Sequence, residues 1–144
     1  MKAGLKWDGV LGFEATGGSG KAIMTDASVE AGGRGLGPTP MELILFGLGG
    51  CMGIDVVHIL KKSRIELTSF SMELEGERAT DNPRGFTRIK IHLFIKGRGL
   101  TETAISRAID LSMEKYCSVR SSLNAEVITE RSEERRVGKE CRSR

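Results

Sequence analysis

The residues of this 144-residue chain with most chemistry to offer are its cysteines, Cys51, Cys117 and Cys141. Cys141 lies in a terminal run, "RSEERRVGKECRSR", that changes composition abruptly. The other two are 66 residues apart, with neither the C-x-x-C spacing of a redox loop nor that of a zinc ribbon. A buried cysteine is most often a small hydrophobe. Three features point further. Cys51 sits in "FGLGGCMG", where Gly47, Gly49, Gly50 and Gly53 remove side chains and allow close approach to the backbone. Cys117 is followed by Ser118, Arg120 and Ser121, which are polar surroundings for a thiol. At helical spacing Cys51, Asp55 and His58 share one face, i, i+4 and i+7. That triad offers three zinc-ligand types, with Cys117 a conceivable fourth. The plainer reading, in which Asp55 pairs with His58 or with a partner surface, is preferred, and no metal site is expected. His92 reads as a residue on the solvent face of a strand.

These side chains need elements to hold them. Thr39, Pro40 and Glu42 form a helix start: an N-cap, a proline at the first helical position and a T-x-x-E capping box. The helix is expected to run to about Lys62, spanning roughly 36 Å. It is apolar nearly all round, so burial on most sides is expected. Residues 41–60 are apolar enough to raise the question of a membrane span. Glu42, Asp55, His58 and four glycines argue against one.

Before this helix, Asp8-Gly9 marks a hairpin and a third strand falls near Lys21 to Asp26. "GGSGK" resembles part of a phosphate loop. Ala15 and Ala22 stand where that motif needs glycine and a hydroxyl residue, so nucleotide binding is not expected. After the helix, Leu67, Phe70, Met72 and Leu74 alternate with polar residues, with a slip near Ser69. Ile89, Ile91, Leu93 and Ile95 alternate against Arg88, Lys90, His92 and Lys96. Two antiparallel strands joined at "TDNPRG" fit this pattern. A second helix from Thr101 or Glu102 to about Tyr116 turns Ala104, Ile105, Ala108, Ile109 and Met113 inward. "CSVRSSL" makes a short turn or helical bend and "NAEVITE" a closing strand. The order is β-β-β-α-β-β-α-β, one α+β domain.

The net charge of +3 is a property of the tail. Residues 131–144 hold six basic and three acidic residues, and the remaining 130 hold sixteen of each. No basic stripe with interleaved aromatics marks a nucleic-acid surface. The tail resembles the read-through translation of a sequencing adapter. The domain is therefore expected to end at 130, with 131–144 a non-native disordered tail and Cys141 without function. "MKAGLKWDGVLGFEA" has no apolar signal core, and a cytoplasmic protein is expected.

"GPTPMELILFGLGGCMGIDVVHILKK" together with "EKYCSVRSSL" resembles the osmotically inducible protein C family, also called OsmC/Ohr, in its Pro-Met-Glu-Leu branch. The resemblance covers nearly all of residues 1–130. It implies an intertwined α+β homodimer whose central helices pack together, the glycines permitting the approach and the thiol sitting at the interface. It also implies a peroxidase that reduces organic hydroperoxides. Cys51 would attack and become a sulfenic acid, Cys117 would resolve it as a disulfide, and a dithiol would recycle the pair, with no metal or organic cofactor. In that family an arginine from the N-terminal strands favours the thiolate, held by a glutamate directly after the helix-start proline. This chain departs on both counts. No arginine precedes Arg34, and Met41 follows Pro40, with Glu42 one place later. Lys21 and Arg34 are the substitute cations on offer, and neither matches the motif. The alternative reading is a family member that binds a small apolar or thiol-reactive molecule at the dimer interface.

Overall fold

The structure is a computed structural model, and it describes residues 1–136. Its elements are β1 (Ala3–Trp7), β2 (Phe13–Gly17), β3 (Ala22–Thr25), α1 (Pro40–Lys62), β4 (Glu66–Arg78), β5 (Phe86–Arg98), α2 (Glu102–Leu111), α3 (Ser118–Ser121) and β6 (Glu126–Arg136). The chain divides into two compact units within α1, between Phe46 and Gly47. The α+β order matches the expectation, and the bend expected at "CSVRSSL" is the one-turn helix α3.

In the N-terminal unit, β1, β2 and β3 form an antiparallel meander. Asp8 closes the first turn, its carboxylate accepting the backbone N–H groups of Val10 and Gly12. The turn is longer than the two residues Asp8-Gly9 suggest, because Trp7 pairs with Phe13. Register puts Leu5, Trp7, Phe13, Ala15 and Ile23 on one face. Leu5, Trp7 and Ile23 are at least half exposed. The glycine-rich loop after β3 is gathered around buried Asp26. Its carboxylate accepts from Ala27, Arg34 and Leu36. These bonds give the loop backbone partners in place of sheet pairing. "GGSGK" is a strand–turn–strand, with Lys21 in an exposed position beside the turn.

In the C-terminal unit, β4 and β5 pair antiparallel and β6 joins β5 in parallel. A parallel neighbour needs a crossover, and α2 with α3 supplies it. The register slip expected near Ser69 is a bulge between Leu67 and Ser69. Ile89, Ile91, Leu93 and Ile95 are buried as the alternation requires.

Helix α1 starts with the expected capping box: Thr39 N–H donates to Glu42 Oε1 (2.8 Å), and Glu42 N–H to Thr39 Oγ1 (3.3 Å). The expectation of burial on most sides needs correction for a single chain. Leu48, Gly49, Met52, Gly53, Val56 and Leu60 are buried, while Phe46, Ile54 and Val57 are exposed. The glycines divide in the same way. A Cβ on Gly49 would lie 3.0 Å from Leu74 Cδ1, and one on Gly53 2.9 Å from Met72 Cε. These two let α1 settle on β4 of its own chain. A Cβ on Gly50 would meet nothing within 4 Å among the described residues. The helix is long and apolar enough to cross a membrane, but its inner face belongs to this sheet.

Strand β6 continues to Arg136, six residues past the expected boundary at Glu130. Parallel pairing with β5 is made by backbone groups, which any non-proline residue supplies, so a polar sequence can extend it. Arg131 adds ion pairs with Glu102 (3.3 Å) and Glu133 (2.9 Å). Cys141 lies outside the described residues.

Candidate functional site: a thiol pair with a carboxylate

Cys51 sits in the middle of α1, partly exposed. Cys117 is brought to it by an irregular helix end. After Leu111 the chain widens into a π-turn over Ser112–Tyr116, and Cys117 N–H donates to Ser112 O across five residues (2.8 Å). Such a turn inserts an extra residue per helical repeat and re-aims the residues after it. Here it delivers two groups together. Ser112, fully buried, donates its hydroxyl to Asp55 Oδ2 (2.8 Å). Cys117, also buried, begins α3 and accepts the Arg120 backbone N–H on its sulfur (3.3 Å).

The result is a compact cluster. The two Sγ atoms and a carboxylate oxygen of Asp55 all lie within 4.8 Å of one another. Burial pushes the Cys117 thiol up to about 11, against the lowering effect of the Arg120 N–H; the Cys51 sulfur and the Asp55 charge push the same way. Near neutral pH Cys117 therefore keeps its proton.

The pairing of Asp55 with His58 is not what forms. Asp55 turns to Ser112, while His58 is exposed and lines, with Asp55, Lys62, Arg107, Leu111 and Tyr116, an open cleft of about 770 Å³. His92 lies on the outer face of β5, stacked on Phe94 at 4.3 Å with Ser132 Oγ 2.9 Å from Nε2. Glu42 closes the capping box. Arg34 donates to Asp8 Oδ2 at 2.7 Å, and this pairing, after the backbone bond from Val10, holds the Asp8 carboxyl below its usual range.

Ser112 is the site residue that the sequence does not reveal. Nothing in its spacing marks it, because a regular helix would turn it elsewhere. Arg120 gains a specific feature: its Nε is buried without a hydrogen-bond partner among the described residues.

A thiol pair on the central helix and the following helix end, beside a three-stranded mixed sheet, defines the class. Residues 32–131 match the model of the OsmC-like protein family, and the chain belongs to that family. It is 43% identical over 119 residues to protein YhfA of Escherichia coli strain K12, covering 83% of this chain and 86% of that protein. Among solved structures, a hypothetical protein from Aquifex aeolicus VF5 superposes with a TM-score of 0.83 at 28% identity, over 94% of this chain and 97% of the other. The organic hydroperoxide resistance protein OhrB of Bacillus subtilis shares the fold at TM-score 0.61 and 20% identity, over 91% and 96% of the two chains.

Proposed function

We propose that this protein is a cysteine-based reductase of organic hydroperoxides. The observation that carries the reading is the approach of the Cys51 and Cys117 sulfurs to within 4.8 Å, with one thiol partly open and the other buried. In the proposed cycle the Cys51 thiolate attacks the peroxide oxygen. The O–O bond breaks, the alcohol leaves after taking a proton, and Cys51 becomes a sulfenic acid. Cys117 then attacks the Cys51 sulfur, forming the disulfide and releasing water. An external dithiol returns both thiols and leaves as its own disulfide. No metal or organic cofactor enters the cycle. Buried, protonated Cys117 does not compete for peroxide, and in the resolving step its proton leaves with the sulfenic oxygen as water. The family includes proteins named for organic hydroperoxide resistance, which supports the substrate class.

The same reading includes a homodimer. Leu5, Trp7 and Ile23 on one sheet face, and Ile54 and Val57 on α1, are apolar surfaces that a second copy would cover. The place of action is the cytoplasm, where dithiol reductants keep thiols reduced.

Two observations favour a second reading, a binding protein for a small apolar or thiol-reactive molecule. One is an apolar groove of about 360 Å³ lined by Gly50, Gly53, Ile54, Val57, Phe70 and Met72. The other is the departure from the family's arginine–glutamate pair.

Steady-state turnover of an organic hydroperoxide with a dithiol, beside Cys51→Ser and Cys117→Ser, decides between them. The peroxidase reading expects loss of turnover in both variants and a trappable sulfenic acid in Cys117→Ser alone. Wild-type consumption no faster than free cysteine would leave the binding reading.

A further inference from the structure

We infer that the reduced thiol pair, with Asp55, is a binding site for a thiophilic divalent cation of the zinc class. The three ligand atoms are already gathered within 4.8 Å of one another. In a tetrahedral zinc site, sulfur ligands at about 2.3 Å from the metal stand roughly 3.8 Å apart. The present separations approach that geometry within an adjustment on the order of 1 Å. None of the three side chains is freely exposed, so this is not a chance meeting of surface acids.

The supports behind the ligands fit the same purpose. Ser112 Oγ–H donates to Asp55 Oδ2 at 2.8 Å, fixing the carboxylate, and a backbone N–H reaches the Cys117 sulfur. Hydrogen bonds of this kind orient metal ligands and tune them. The charges also call for a cation. Two thiols and a carboxylate meet, and among the described residues the partner of that carboxylate is a neutral hydroxyl rather than a cation. Binding would release the two thiol protons and leave two thiolates and one carboxylate around a 2+ ion. Three protein ligands leave one position open for water.

Of the four ligands the sequence offered, Cys51, Asp55 and Cys117 meet, while His58 is exposed and stands outside the cluster. The inference is independent of hydroperoxide chemistry, although the two share their thiols: only the reduced pair can bind the ion, and a bound ion would withhold the thiols from oxidation.

The test is titration of the reduced full-length protein with Co²⁺, followed by displacement with Zn²⁺. Thiolate–cobalt absorption should rise to one equivalent per chain and vanish on adding Zn²⁺. Cys51→Ser, Cys117→Ser and Asp55→Asn should each weaken binding at least about 10-fold, and Ser112→Ala about 10-fold by freeing the carboxylate. His58→Ala should leave binding unchanged. Far-ultraviolet circular dichroism on each variant checks that it is folded. No thiolate band, or a band undiminished in Asp55→Asn and Cys117→Ser, overturns the site. Hydroperoxide turnover in the presence of a chelator is measured separately, so either reading can fail while the other stands.

Discussion

Cys117 and Asp55 set the chemistry at the scale of single residues. Burial holds the Cys117 proton to about pH 11, so alkylation near neutral pH should label Cys51 well before Cys117. Peptide mapping of the alkylated protein over a pH series checks this. Asp55→Asn removes a charge that raises the Cys117 value, so its alkylation midpoint should move to lower pH. An unmoved midpoint would mean the carboxylate does not act on the thiol. The same raised value has a stability sign. The folded state keeps a proton that the unfolded chain loses near 9, so stability is full below that pH. It should then fall between about 9 and 11 by no more than about 1.4 kcal/mol per pH unit, an increment that Cys117→Ser should lack in denaturant melts.

At the scale of elements, the glycines of α1 decide what packs where. Gly49→Val would drive a branched side chain into Leu74 and should destabilise by about 1–3 kcal/mol. Gly53→Ala should cost less, because the atom in its way is the terminal methyl of flexible Met72. Urea midpoints rank the two, and a larger loss at Gly53 would contradict this packing. The capping box, the bulge near Ser69 and the buried alternation of β5 were legible in the sequence, since each is a local rule of caps, pleat or period. The π-turn was not. It depends on where α2 meets the rest of its unit, and it is what turns Ser112 and Cys117 toward Asp55. For the same reason Cys51 and Cys117 could be singled out as thiols, but their approach could not be read from spacing. The outer face of α1 read as buried because its apolar pattern runs nearly all round the helix, whereas the described residues of one chain cover only the inner face.

For the whole molecule, we propose that this outer face and the exposed apolar side of the β1–β3 sheet are covered by a second copy. Ile54→Asp, at a position 62% exposed in the single chain, should then shift the protein from dimer to monomer in sedimentation. A wild-type monomer at micromolar concentration would contradict the proposal. We also propose that the native domain ends near Glu130 and that 131–144 is foreign to it. A chain of residues 1–130 should keep its secondary structure and thiol reactivity, despite losing the outer part of β6. Unfolding on truncation would make the extended strand part of the domain.

We propose that Cys51 and Cys117 work as one redox couple. The most direct measurement is disulfide mapping by mass spectrometry after one equivalent of an organic hydroperoxide meets the reduced protein, digested without reduction. A single linked peptide pair joining Cys51 to Cys117 within one chain, absent in either serine variant, is expected. Two free thiols, or a Cys51 oxidised to sulfinic acid beside an untouched Cys117, would contradict it.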